Sequence, residues 1–341
     1  MVRISGRYVS YWSAAAAAAL LAACGGPGTD APAISGAAAV RANVRAANGF
    51  LRPQSPRLAE AGGRRGHFSS PTQAAKAGNN VIYSGSFDAN SITIFPTKGV
   101  NPPPIGEITT GLSNPERLFV GKNLKLYATN LGNNTIVAYD PGATSPSLTI
   151  GQGVDSPTGL VVGADGTIYC ANTDNDTVTV YRKGKKKPAR TIALGNDLPE
   201  NLAIDAANNL YVSYVGGARG SGVVKVPAGQ TTGQDLNLVV GSAGAIEVDT
   251  SGNIILIDAA IPSVDVFAAG ATSPSKVIRV TDGSPFELAL NKSEKKLYAS
   301  IDLGIDFAIE VLDYPKGNAF TDKITSGVGE WPLAVSPDNA L

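Results

Sequence analysis

From about Ala77 onward the chain repeats itself, and the length of the repeat leaves few folds open. NPERLFVGKNLKLYATNLGNNTIVAYD, from Asn114, superposes on SPTGLVVGADGTIYCANTDNDTVTVYR, from Ser156, with nearly every apolar position coinciding. LPENLAIDAANNLYVSYVGG, from Leu198, follows the same scheme, and SAGAIEVDTSGNIILIDAA, from Ser242, and SPFELALNKSEKKLYASID, from Ser284, are more diverged copies. A last copy begins at EWPLAVSPD, from Glu330. One equivalent apolar position, at Val120, Val162, Ile204, Val248, Leu290 and Val335, recurs at intervals of 42, 42, 44, 42 and 45 residues. Such self-similarity marks a repeat architecture, in which each unit buries its apolar faces only against its neighbours.

Within a unit the apolar residues alternate at period two. TGLVV, TIYCAN, TVTVYR and ARTIAL are separated by GADG, TDND and the lysine-rich KGKKK. Alternation in short runs punctuated by Gly, Asn, Asp and Pro reads as strands joined by tight turns. Four strands in about 42 residues is the signature of a β-propeller blade. Five complete units run from about Gly111 to Ile324, and WPLAV supplies one further first strand. NVIYSGS, SITIFP and IGEIT match strands two to four, with Tyr83 aligned on Tyr169 and Ser91 on Thr177. The expected fold is therefore all-β: a six-bladed β-propeller of four-stranded blades over residues 78–341. The C-terminal strand closes the ring against the N-terminal three, burying Leu333 and Val335 and removing open sheet edges.

NNLYVSY, KLYATNLGNNTIVAYD and TIYCANTDNDTVTVYR resemble the YVTN-type and NHL-type propeller repeats of bacteria, related to the gluconolactonase-like six-bladed superfamily. The resemblance covers roughly Asn79 to the C-terminus and implies the fold. It leaves function open, because scaffolds of this kind host lactonases, lyases and pure binding proteins.

Ahead of the repeats the composition changes. Arg3 and Arg7 precede a weakly apolar stretch from Ala14 to Ala23, the layout of a secretory signal. That stretch is shorter than the roughly 20 residues a spanning helix needs. Its ending, Leu21, Ala22, Ala23, Cys24, resembles the lipobox of bacterial lipoproteins. The resemblance implies removal of residues 1–23 and acylation of Cys24, a stable anchor when several chains are attached. Gly25 stands where an aspartate would retain many such lipoproteins at the inner membrane, so the outer membrane or cell surface is favoured. Residues 24–77 are rich in Ala, Gly, Pro and Ser, and read as a disordered basic tether. Arg41, Arg45, Arg52, Arg57, Arg64, Arg65 and Lys76 face only Glu60 there, and such a tether suits anionic head groups.

The whole chain carries 28 basic and 28 acidic residues and is formally neutral, which points away from nucleic acid as a partner. With Cys24 acylated, Cys170 has no disulfide partner, and its apolar surroundings mark it as a small buried hydrophobe. The one histidine, His67, falls in the tether, so the propeller has no imidazole base and no Ser-His-Asp triad. Streptogramin lyases, which belong to similar propellers, rely on histidine chemistry, and this chain departs from them there.

Candidate binding positions are those the repeat does not fix. Two residues before the shared apolar position vary between blades: Glu116 and Arg117, Thr158 and Gly159, Glu200 and Asn201, Gly244 and Ala245, Phe286 and Glu287, Trp331 and Pro332. They should ring one mouth of the central channel. Three carboxylates, an arginine, an amide and two aromatic rings would converge there, able to bind a cation, a sugar or a polar peptide. Glutamate and asparagine oxygens suit Ca2+, and the gluconolactonase-like enzymes place such groups around an ion. Alternatively, Glu116, Arg117 and Glu200 form salt bridges and caps between blades. The acidic turns from Asp174 to Thr177 and from Ser86 to Ser91 are calcium-like in composition but read first as plain turns. The leading expectation is a lipid-anchored envelope module that binds a protein, glycan or small molecule without catalysis. The alternative is a divalent-metal-dependent lactonase or related hydrolase using Glu116, Glu200, Asn201 and Glu287. A structural envelope protein is the third reading.

Overall fold

The computed structural model describes residues 80–216, 220–304 and 306–336. The leader, Cys24, the tether and His67 lie outside the described residues. Six four-stranded antiparallel sheets form the ring. Blade 1 joins β1 (Val81–Ser86), β2 (Ser91–Pro96) and β3 (Gly106–Ile108) to β24 (Leu333–Val335), in the order β24-β1-β2-β3. Blade 2 contains β4 (Pro115–Val120), β5 (Leu126–Asn130), β6 (Thr135–Tyr139) and β7 (Leu148–Ile150). Blade 3 contains β8 (Pro157–Val162), β9 (Ile168–Asn172), β10 (Thr177–Tyr181) and β11 (Arg190–Ala193). Blade 4 contains β12 (Leu198–Ile204), β13 (Leu210–Gly216), β14 (Gly220–Val226) and β15 (Gln234–Asp235). Blade 5 contains β16 (Ala243–Val248), β17 (Ile254–Asp258), β18 (Ser263–Phe267) and β19 (Lys276–Arg279). Blade 6 contains β20 (Ser284–Leu290), β21 (Lys296–Asp302), β22 (Phe307–Asp313) and β23 (Asp322–Ile324).

The ring closes as the spacing predicts. Ile82, Tyr83 and Ser84 of β1 pair with Val335, Ala334 and Leu333 of β24. Val81 N donates to Ser336 Oγ at 2.8 Å, and Ser336 N donates to Val81 O at 2.9 Å. Leu333 is buried, whereas Val335 is only partly buried and packs at the edge of the Ile82, Phe95 and Tyr298 cluster. The core is divided among the seams between blades. One cluster, for instance, joins Val161, Val178 and Ile192 of blade 3 to Leu202, Val212 and Val224 of blade 4.

Polar residues of the repeat stitch each loop between blades to the next sheet. Asn130 Oδ1 accepts from Ser113 N at 3.1 Å, and its Nδ2 donates to Gly111 O at 2.9 Å. Asn172 accepts from Asp155 N at 3.0 Å and donates to Gly153 O at 3.3 Å, one blade later. Tyr139 and Tyr181 hydroxyls reinforce the same loops through Thr110 O and Gln152 O. Between strands two and three, single helical turns at Leu131–Asn133 and Thr173–Asn175 end on left-handed Asn134 and Asp176. Asn and Asp are the side-chain-bearing residues that best tolerate that backbone.

Candidate functional site

The inner strands carry the variable pairs, and a β-bulge presents them. Register slips between Pro115 and Arg117, Pro157 and Gly159, Pro199 and Asn201, Ala243 and Ile246, and Pro285 and Glu287. Glu116, Thr158, Glu200 and Phe286 are thus the extra residues of their strands. A bulge re-aims the side chain it carries. A hydroxyl of the neighbouring strand holds it in two blades: Arg117 N donates to Thr129 Oγ1 at 3.0 Å, and Asn201 N donates to Ser213 Oγ at 3.1 Å.

The residue after each bulge turns into the ring. Arg117 of blade 2 forms an ion pair with Glu287 of blade 6, and the two are 2% and 5% exposed. Asn201 of blade 4 donates to Glu287 Oε1 at 3.0 Å, and the same oxygen accepts from Leu288 N at 3.1 Å. Asn201 Oδ1 accepts from Leu202 N at 2.7 Å. Alternate blades therefore meet on one carboxylate. The equivalent positions of blades 3, 5 and 1 are Gly159, Ala245 and Pro332, which leave the space that Arg117, Asn201 and Glu287 fill. A Cβ on Gly159 would stand 3.0 Å from Asn201 Cα and 3.1 Å from Leu202 Cγ. Small and large residues alternate around the ring, and their sum is a polar plug.

Glu247 on β16 completes this constellation and lies outside the pairs singled out above. Burial pushes its carboxyl up to about 7; Arg117 pulls it down and Glu287 pushes it up. Burial also raises Glu287, against the pull of Arg117. Arg117, paired with Glu287, thus also acts on Glu247 through its charge, and Glu247 holds its proton more tightly than in the unfolded chain. The carboxyl of Glu247 is ordinarily near 4.5, so folding takes up a proton and stability falls as pH rises from about 4.5 through 7. Measured by denaturant unfolding, Glu247→Gln should gain on the parent across that window, by at most about 3.5 kcal/mol at about 1.4 kcal/mol per pH unit. An unchanged difference between the two from pH 4.5 to 8 would remove Glu247 from the plug.

Above the plug the rim is aromatic on one side. The Trp331 ring lies 5.1 Å from that of Phe87 and 6.1 Å from that of Phe286. Phe286 is 36% exposed, and Trp331, Glu116 and Glu200 are half-buried. The structure thus brings Arg117, Asn201 and Glu287 into one hydrogen-bonded group, and Phe286 and Trp331 into an aromatic contact. Burial raises the Cys170 thiol far above its ordinary value, as fits a packed apolar residue. The turn from Asp174 to Thr177 is tied to the loop that precedes β8. Asp174 Oδ2 accepts from Ser156 Oγ at 2.6 Å, and Asp155 Oδ2 accepts from Asn175 Nδ2 at 3.3 Å. Among the described residues no group of three or more His, Cys, Asp and Glu side chains is arranged to hold a metal ion.

Fold and site together define the class: a closed six-bladed β-propeller with a plugged channel. No family model and no curated protein matches the chain. Solved structures match in fold. Kuenenia stuttgartiensis hydrazine synthase matches at 17% identity and a TM-score of 0.57, over 79% of this chain and 88% of that one. A chain of the nidogen–laminin complex matches at 15% identity and a TM-score of 0.62, over 76% and 99%. Virginiamycin B lyase from Staphylococcus aureus matches at 10% identity and a TM-score of 0.52, over 77% and 94%. That lyase was solved with quinupristin as a catalytically inactive His-to-Ala variant. These likenesses carry the propeller fold, which is common to two enzymes and a protein complex.

Proposed function

We propose that the chain is a lipid-anchored module of the bacterial envelope that binds a polar partner at the channel mouth and does not transform it. The observation that carries this reading is the occupancy of Glu287. Arg117, Asn201 and Leu288 N already engage its carboxylate. A guanidinium in contact with that carboxylate puts positive charge where the hydrolase reading needs a divalent cation. What remains open to a partner is the rim, with the Trp331 and Phe286 rings for stacking. Anchoring rests on the leader and Cys24, and an outer-membrane or cell-surface position rests on Gly25.

Two readouts test the proposal. Trp331 is the one tryptophan left once residues 1–23, with Trp12, are removed. Its emission should change saturably when the protein is titrated with either oligosaccharides or cationic peptides, and Phe286→Ala should weaken that response about tenfold or more, the size of one lost aromatic contact together with its stacking. Flat titrations with both ligand classes would sink the mouth as a binding site. Labelling cells with a palmitate analogue should mark the parent and not Cys24→Ala. Equal labelling of both would sink the anchor.

A further inference from the structure

The two faces of the ring carry opposite charge. Each inner strand begins at the plugged mouth, so loops from strand two to three, and from blade to blade, lie on the mouth face. Loops from strand one to two and from three to four lie on the other. The mouth-face loops hold Asp88, Asp155, Asp174, Asp197 and Glu330, besides Asp282, which is paired with Lys323 of β23, and no lysine or arginine among their described residues. The opposite face is basic. The loop from β10 to β11 presents Arg182, Lys183, Lys185, Lys186 and Lys187, every one exposed. Lys98, Lys122, Lys292 and Lys316, also exposed, carry the basic surface into blades 1, 2 and 6. Acidic residues on this face are fewer: Asp140 is paired with Lys125 and Asp313 with Lys296, while Asp165, Asp205, Asp249 and Glu294 stand in the loops from strand one to two. Asp165 binds its own turn, and Glu294 accepts from Thr250.

Both ends of the folded ring also emerge on the basic face. β1 runs from Val81 there toward the mouth, and β24 runs back to Ser336 beside it, joined by the Val81 and Ser336 hydrogen bonds. The segment from Cys24 to Asn79, with its arginines, therefore joins the propeller on this face.

We infer that the basic face docks on an anionic lipid surface, which turns the acidic, aromatic-rimmed mouth outward. Charge complementarity selects an anionic surface, since each Lys or Arg near one adds attraction. The anchored reading selects the membrane over a soluble polyanion, because an acyl chain on Cys24 would keep the propeller within the reach of its tether from the bilayer, and the charge of the basic face then sets the orientation. This deepens the anchored reading above and rests on it for the nature of the surface.

The test uses the full Cys24→Ala chain, which carries no acyl group, in co-sedimentation with vesicles of phosphatidylglycerol mixed into phosphatidylcholine. Expected is binding that rises with phosphatidylglycerol, falls with salt, and survives inorganic phosphate at matched ionic strength. Reversal of the exposed loop by Lys183→Glu, Lys185→Glu, Lys186→Glu and Lys187→Glu together should weaken it about tenfold or more, with the melting temperature unchanged. Binding equal in pure phosphatidylcholine, or equal for the reversed variant, overturns the inference. So does retention on polyglutamate without retention on vesicles, which would assign the face to an acidic polymer. Palmitate labelling of the parent reports separately on Cys24, so a failed face and a failed anchor are told apart.

Discussion

A chain ending at Glu330 loses cooperative unfolding. Removal of β24 strips β1 of its pairing with Leu333, Ala334 and Val335 and leaves that edge open. It also exposes the apolar seams that Leu333 and Ala334 cover, at 1% and 4% exposure. Burying a leucine contributes about 1.5–3 kcal/mol. The lost ladder, the Val81 and Ser336 hydrogen bonds and the gap between blades 6 and 2 come on top of that. A domain has about 5–15 kcal/mol of net stability to lose. Circular dichroism melts of the truncated and full chains compare the two directly. A broad or absent transition is expected, and a sharp native-like melt would contradict ring closure.

Arg117→Ala is the second large effect. It leaves Glu287 buried with only amide and backbone donors, and removing one partner of a buried pair costs about 3–5 kcal/mol. Lowering the pH should return part of that loss, because a protonated Glu287 no longer needs the guanidinium. Adding Glu287→Gln to Arg117→Ala should return part of it at neutral pH for the same reason. Denaturant unfolding of the three proteins at pH 8 and pH 5 decides the matter. A single-variant loss below about 1 kcal/mol would place the pair among weak surface bridges.

Much of this architecture can be read from the chain because it is periodic. The apolar alternation, the turn residues and the interval of about 42 residues are local signals repeated several times, so a diverged blade is recognised from its neighbours. The same repeats identify Arg117, Asn201 and Glu287 as variable positions. They do not show that the three touch. Asn201 and Glu287 are 86 residues apart, and their contact depends on how a closed ring brings every second blade to one point. The bulges are equally silent in a pattern of period two, although a Pro at the start of four inner strands hints at them. Glu247 lies two residues beyond the variable pair of its strand, outside the positions that ring the mouth. A charge at a position occupied elsewhere by Phe119, Val161, Ala203 and Ala289 is the signal that would have found it. The charge difference between faces was within reach too, since loops alternate sides along the chain. Val335, read as core from its apolar type, is partly buried because it ends its strand, as Val120, Ile204, Val248 and Leu290 end theirs and are partly buried too.

The Arg117–Glu287 ion pair stoppers the channel where the hydrolase reading needs a metal ion. Thermal unfolding of the full chain, first stripped with chelator and then supplied with excess calcium, tests it most directly. A bound ion at 100 times its dissociation constant would add about 2.7 kcal/mol and raise the melting temperature by a few degrees. The plug predicts superimposable melts at every calcium concentration. A saturable rise, abolished by Glu287→Gln, would contradict it and put the metal-dependent hydrolase first.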